Sequence, residues 1–330
     1  MEKRRILTGD RPTGRLHLGH YVGTLANRIR LQHDYDTLII IADIQGLTTD
    51  FEDPRRVSTA VREVALDYLA AGLDPGVATI FIQSMVPAIA ELTVIYSMLT
   101  TVNALRHNPT IKSEAQQRGY TDLSYGFLGY PVSEAADITF CRAHLVPVGE
   151  DQLPHIELTR KLVRRFNQLY GQVFPVPEGL VGRAGRLVGI DGQNKMSKSL
   201  NNAIFLSDPP ETVSEKVGLM VTDPQRVHKR NPGRPEVCTV YTYCDVFGFD
   251  AESVAESCRR AEVGCVQCKR KLAQEINELL TPMRARRRYY ENRPDDIFEI
   301  LRSGTSRARQ LGEETMAMVR EALSFNYFRL

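Results

Sequence analysis

The chain of 330 residues is 42% apolar and 25% charged, proportions of a folded globular protein that exclude a disordered or fibrous class. Its formal net charge of +2 excludes a general positive field, so a nucleic-acid partner would need a local basic patch. The longest apolar run, 38–42, is far too short to span a bilayer, and the basic start leads into no signal-peptide core.

A cytoplasmic protein with neither membrane nor DNA as partner is therefore expected, and its six cysteines are read as thiols or metal ligands rather than disulfides. In chain order, Ile6-Leu7 predicts a short strand that turns through Thr8-Gly9-Asp10-Arg11-Pro12-Thr13-Gly14. The turn enters a helix at His17-Leu18-Gly19-His20, continued by an amphipathic run over 21–31. A helix start presents free amides and the positive end of its dipole to an anion. Gly14 and Gly19 leave room for a nucleotide, and His17 and His20, three apart, can reach one phosphate.

The continuous apolar run 38–43 suits a strand buried on both faces of a parallel sheet. A helix from Asp53-Pro54 to Gly72 and a strand over 79–83 follow, and this alternation predicts a doubly wound α/β core. Residues 86–141 read as mostly helical, with interruptions near Asn108-Pro109 and at Gly119 and Gly126. A short strand, Val146-Pro147-Val148, turns at Gly149 into a helix opened by Glu150-Asp151. Asp151 can accept from a ribose hydroxyl or cap the helix, and Gln152 offers amide donors and an acceptor to a small ligand.

A glycine-rich basic linker over 179–192, expected to be mobile, leads into Lys195-Met196-Ser197-Lys198-Ser199. Two lysines three residues apart can place two ammonium groups on one triphosphate, where charge develops as pyrophosphate leaves. Beyond Pro209 the pattern is helical over 213–220, 251–261, 266–280 and 303–323, which sets a domain boundary at about 207. The stretch 283–290 mixes arginines with Tyr289 and Tyr290, a composition open to phosphate contact and base stacking or to a solvated helix face. Cys258, Cys265 and Cys268, with Cys238 upstream and Cys244 as a competing fourth, have a spacing that fits zinc, an iron–sulfur cluster or free thiols.

Together, Pro12-Thr13-Gly14 with His17-Leu18-Gly19-His20 and the lysine stretch resemble the HIGH and KMSKS signatures of class I aminoacyl-tRNA synthetases. Tyr130-Pro131, Ala135-Ala136-Asp137 and 146–152 narrow the resemblance to the tryptophanyl-tRNA synthetase family. The resemblance implies a Rossmann-like domain over 1–207 with a helical insertion at 86–141. It also implies an all-helical anticodon-binding domain over 208–330, whose last helix packs back on the first.

It further implies activation of L-tryptophan with ATP and Mg²⁺, transfer to tRNA(Trp), and a homodimer. Catalytic roles fall to His17, His20, Lys195 and Lys198. ATP would be held by Arg11, Pro12, Thr13, Gly19, His20, Gly149, Glu150, Asp151, Ile190 and the Lys195-Met196-Ser197-Lys198-Ser199 run. Tryptophan would be held by Gly9, Tyr130, Glu134, Asp137 and Gln152, with Asp137 accepting from the indole N–H and Glu134 standing where a neutral residue is expected. Lys112 loosely matches a mobile lysine of the family.

A subset of the family carries a [4Fe–4S] cluster on a similar pattern, which assigns Cys238, Cys258, Cys265 and Cys268 as its ligands, with zinc as the alternative. A tyrosyl-type synthetase and a synthetase-like RNA-binding or regulatory protein are the competing readings. A small-molecule nucleotidyltransferase would share the histidine turn but not the lysine run.

Overall fold

The computed structural model describes residues 3–149, 152–181, 187–325 and 327. Five parallel strands run β1 (Arg5–Asp10), β2 (Asp36–Ile41), β3 (Ala78–Ile82), β4 (Leu145–Val148) and β5 (Glu178–Val181). Their spatial order is β3-β2-β1-β4-β5. β2 lies between two partners along its whole length and is buried from Thr37 to Ile41, as its unbroken apolar run requires. The order reverses between β1 and β4, and a crevice opens at such a switch point beyond the carboxyl ends of the strands. Asp10, Gln83 and Gly149 all stand at those ends.

Helices cover the sheet. After β1 come α1 (Leu18–His20), a π-helical turn (Tyr21–Leu25) and α2 (Ala26–Leu31), followed past β2 by α3 (Asp43–Asp50) and α4 (Pro54–Ala71). Asp53 caps α4 by accepting from the Arg56 amide, and Gly72 closes it at φ +119°, a left-handed turn that costs glycine nothing. Between β3 and β4 lie α5 (Pro87–Ser97), α6 (Val102–Arg106), α7 (Pro109–Arg118) and α8 (Tyr125–Thr139). Asn108 caps α7 and Gly119 ends it at φ +68°, as expected from the sequence. Gly126, expected to interrupt a helix, lies inside α8, because the Ser124 hydroxyl caps that helix by accepting from the Phe127 amide.

After β4 comes α9 (Leu153–Tyr170). Residues 179–181, read as linker, belong instead to β5: hydrogen bonding to β4 supplies the order that their composition does not encode.

The C-terminal third contains α10 (Pro210–Leu219), α11 (Thr239–Phe247), α12 (Ala251–Arg259), α13 (Cys265–Glu291) and α14 (Pro294–Ala322). α13 runs eleven residues beyond the expected end, straight through Pro282. Arg284, Arg286 and Arg287 hold its second half by donating to Asp208 O, Ala70 O and the Asp67 carboxylate at 2.7, 2.7 and 2.5 Å. α14 lies along the outer strand β3, where a Cβ on Gly304 would stand 2.0 Å from Ile80 O, and Thr305 Oγ1 accepts from the Ile82 amide at 3.2 Å. Among the described residues, no helix is long and apolar enough to cross a membrane.

Candidate active site

The histidine loop and the lysine loop are about 180 residues apart in sequence and touch in space. The strand-like segment 204–206 pairs with 16–18: the Leu18 amide donates to Ile204 O at 2.9 Å and the Leu206 amide to Leu16 O at 3.0 Å. The lysine loop begins as a bridge between Val188 and Lys195 and is closed by Asn202, which accepts from the Ser197 amide at 2.7 Å and donates to Asp191 at 2.9 Å. The Ile190 amide donates to Asn202 O at 3.0 Å. The linker before the loop is thus anchored at its described end.

Met196 is buried, and its sulfur accepts from the Gly19 amide at 3.3 Å. Lys198 Nζ donates to Gly14 O at 2.9 Å and to Thr13 Oγ1 at 3.1 Å. A Cβ on Gly19 would lie 2.9 Å from His17 Nδ1 and 3.4 Å from Met196 Cβ, so glycine lets the two loops meet. Ser197 and Ser199 share a hydroxyl contact at 3.0 Å.

The hydrogen bonds settle both histidine tautomers. His17 Nδ1 accepts from the Gly19 amide at 3.1 Å, and His20 Nδ1 accepts from the His17 amide at 3.2 Å. Burial, then the neighbouring His20 and the two lysines, holds His17 down at about 2. Burial likewise lowers His20 to about 4, against the upward pull of Asp10. A neutral ring whose Nδ1 accepts carries its proton on Nε2, so both rings offer an Nε2–H donor. Burial pulls Lys198 down to about 8, opposed by Asp10 and Asp67.

Asp10 lies behind His20. Burial pushes its carboxyl up, but Arg28, donating at 2.5 Å, together with the Tyr68 hydroxyl at 2.7 Å, holds it far below the usual carboxylate range.

A second cluster forms the floor of the crevice. Asp137, on α8, is buried and accepts from Gln83 Nε2 at 2.7 and 2.9 Å and from Gln45 Nε2 at 3.3 Å. Burial, reinforced by Glu134, pushes its carboxyl up to about 8 although the two amides oppose the rise. Tyr130 OH meets His155 Nε2 at 3.2 Å, while His155 Nδ1 and Glu114 Oε2 are buried without a partner among the described residues. Burial raises Glu134, which His155 and Arg11 counter. Arg11 pairs with Glu114 at 3.3 Å.

Gln152 caps α9 by position, one turn before His155. Glu150 and Asp151 lie outside the described residues. Gly9 has a packing reason of its own, since a Cβ there would meet Ile40 O at 1.9 Å. Pro12 packs beside Gly46, and Lys112 is exposed on α7.

Asp10, Gln45, Gln83 and His155 were not singled out from sequence. Asp10 and Gln83 could have been, because each ends a strand on the side where ligands bind. The arginine stretch on α13 is largely engaged within the protein: Arg284, Arg286 and Arg287 face α4 and Asp208, leaving Arg288 and Tyr289 exposed.

All six cysteines are free thiols. Cys238 precedes α11, Cys258 lies on α12, and Cys265 and Cys268 lie in the first turn of α13. Burial pushes Cys268 up to about 11, and the thiols of Cys258, Cys238 and Cys265 add to the rise. Among the described residues no three His, Cys, Asp or Glu stand close enough together to hold a metal ion. Cys244 is buried in the α11 core, and burial pushes it up to about 12.

A parallel sheet whose switch point brings a histidine loop against a lysine loop is the architecture of a class I aminoacyl-tRNA synthetase. The family model described as tRNA synthetases class I (W and Y) matches residues 1–281. The chain is 47% identical to the tryptophan–tRNA ligase of Treponema pallidum over 98% of its own length and 97% of that protein. It is 45% identical to that of Clostridium longisporum, covering 99% of each. The structure of the Campylobacter jejuni tryptophanyl-tRNA synthetase, complexed with ADP and tryptophan, superposes with a TM-score of 0.86 at 28% identity, covering 97% of this chain and 99% of that one. The chain therefore belongs to the tryptophan–tRNA ligase family.

Proposed function

We propose that this site activates L-tryptophan with ATP and then passes the tryptophanyl group to the 3′ end of tRNA(Trp). A carboxylate oxygen of tryptophan attacks the α-phosphorus, the bond to the bridging oxygen breaks, and pyrophosphate departs, leaving tryptophanyl-adenylate. The observation that carries this reading is the meeting of Lys198 with Thr13 and Gly14, and of Met196 with Gly19. It gathers the groups that must grip a triphosphate into one place.

Lys195 and Lys198 neutralise the leaving phosphates, the His17 and His20 Nε2–H groups donate to phosphate oxygens, and the loop amides position the chain. Mg²⁺ carried by the triphosphate supplies further neutralisation. Gly149, Glu150 and Asp151 take the ribose, and Ile190 lines the adenosine. Asp137 accepts from the indole N–H, while Tyr130, Glu134 and Gln152 hold the ammonium and carboxylate. Lys195→Ala and Lys198→Ala should each abolish tryptophan-dependent pyrophosphate exchange while tryptophan binding persists. Exchange at the wild-type rate in either, or tyrosine-dependent exchange exceeding the tryptophan-dependent rate, defeats the assignment.

The same reading divides the chain at about residue 207 and gives the tRNA anticodon to the helical portion. It also pairs two copies through the groove of about 680 Å³ that includes Met98, Leu99, Ala104 and Leu158. Sedimentation at a single protomer mass would remove the dimer.

For the cysteines, the reading rests on donor chemistry: four thiols stand at the start of α11, on α12 and at the start of α13, with α12 and α13 both packed on α11, and binding would have to draw them together. Cys238, Cys258, Cys265 and Cys268 would hold a [4Fe–4S] cluster, a structural brace for the start of α13. Anaerobically purified protein should be brown and contain iron and sulfide. Colourless protein with one zinc per chain would replace iron by zinc.

A further inference from the structure

The Arg287 guanidinium, on α13, is buried among three carboxylates: Asp67 Oδ1 at 2.5 Å, Glu63 Oε2 at 2.6 Å and Glu291 Oε1 at 2.8 Å. The other oxygen of Asp67 accepts from the backbone amide of Leu16 at 2.6 Å. Leu16 directly precedes His17, and its carbonyl accepts from the Leu206 amide on the opposite side.

A buried ion pair is weak evidence for stability, because well-packed apolar residues of similar volume often serve as well. A carboxylate that a guanidinium fixes on one oxygen and that grips a loop amide with the other has a positional use. Apolar residues cannot replace it there. Arg286 strengthens the same join by donating to Ala70 O at 2.7 Å and Ala71 O at 3.2 Å, the last residues of α4.

We propose that Asp67 and Arg287 are positioning residues for the ATP site: the Arg287 clamp orients Asp67, which fixes the Leu16 amide and hence the His17–His20 loop against the triphosphate. The inference rests on the ATP site proposed above. α13 carries Cys265 and Cys268 at one end and Arg287 near the other, so the helix that starts at the cysteine cluster also holds the histidine loop.

The experiment is tryptophan-dependent pyrophosphate exchange with full-length protein, varying ATP and tryptophan separately. Its activity in the wild type tests the parent reading, and the variants test this one. Asp67→Ala leaves the buried Leu16 amide without an acceptor and should raise the ATP KM by about tenfold or more. The tryptophan KM should stay within about twofold in every variant, since Asp137 and Tyr130 do not touch this chain of bonds.

Asp67→Asn keeps an oxygen for Leu16 but turns an amide donor toward Arg287, so its ATP KM should rise less than that of Asp67→Ala and about as much as that of Arg287→Met. Arg287→Met should move the ATP KM in the same direction as Asp67→Ala, and the double variant Asp67→Ala with Arg287→Met should be no worse than Asp67→Ala alone. ATP and tryptophan KM values rising together, Asp67→Asn no better than Asp67→Ala, or a lowered melting temperature with both KM values unchanged would each overturn the proposal. If Asp67→Ala does not fold, Arg287→Met raised in ATP KM alone supports it, and Arg287→Met unchanged overturns it.

Discussion

Replacing Lys198 by glutamine should remove a pH dependence of ATP binding that the wild-type protein shows. Burial against Thr13 and Gly14 brings the Lys198 amine down to about 8 in the free protein. About nine in ten molecules then carry the ammonium one pH unit below that value, and about one in ten one unit above it. The triphosphate needs the ammonium, and its charge raises the amine again once bound, so binding above that pH draws in a proton.

The sign follows. ATP affinity is full below about pH 8 and falls as pH rises through it, by about tenfold between pH 7 and pH 9, or about 1.4 kcal/mol. His17 and His20, held at about 2 and about 4, stay neutral across that window and contribute no step. Titration calorimetry with Mg-ATP near pH 8, in two buffers of different ionisation enthalpy, should report uptake of about half a proton per ATP. Lys198→Gln should bind more weakly, with no uptake and a flat profile. Wild-type affinity unchanged over that range, or a step that survives in Lys198→Gln, would refute the placement of Lys198 at the phosphates.

Asp137→Ala removes the acceptor proposed for the indole N–H at a cost of about 1–3 kcal/mol, so tryptophan kcat/KM should fall roughly tenfold to a hundredfold. The ATP KM should move less than twofold, which steady-state kinetics will read. Arg28→Met uncovers the Asp10 carboxylate and should lower unfolding stability by about 3–5 kcal/mol in denaturant titration. Gly304→Ala drives a methyl into Ile80 O at 2.0 Å and should cost about 3 kcal/mol, on the order of 4 °C in thermal melting. Gly119→Ala meets nothing within 4 Å and pays only for its φ of +68°, so its loss should be smaller.

The elements that the sequence made legible are those whose signals are local. Asp53-Pro54 and Gly72 bracket α4 because a cap, a proline at the first helical position and a left-handed stop act within one turn. The two signature loops were legible for the same reason. Their contact was not, since nothing near Met196 in sequence says that its sulfur faces the Gly19 amide.

Asp67 and Glu63 did leave a trace: two acids one turn apart on a helix face otherwise made of Val57, Val64 and Tyr68 call for a buried cation. Which cation could be found only from the packing of α13, where an arginine run open in sequence to RNA contact or to a solvated face turns inward. Gln45 and Gln83 are single polar residues with no periodic partner, and only their joint approach to Asp137 shows what they do.

The site's charges are arranged so that its histidines need none. Arg28 is consumed by Asp10, which removes a carboxylate that would repel a phosphate, and the same neutralisation weakens Asp10's pull on His20. With both Nδ1 atoms tied to backbone amides, each ring would meet the proposed nucleotide as a fixed N–H dipole. Such donors do not have to shed a tightly held water shell as a bare ammonium does, and they do not over-stabilise the ground-state triphosphate. Their hydrogen bonds strengthen as negative charge collects on the departing oxygens, which is where stabilisation raises the rate of the chemical step. Long-range attraction is left to the lysines, on a loop that meets the histidine loop through Met196 and Lys198. The lysines would then serve both binding and acceleration and the histidines acceleration alone, and substitutions on the two loops should show it: lysine loss felt in affinity for ATP and in the rate of adenylate formation, histidine loss in that rate with little change in affinity.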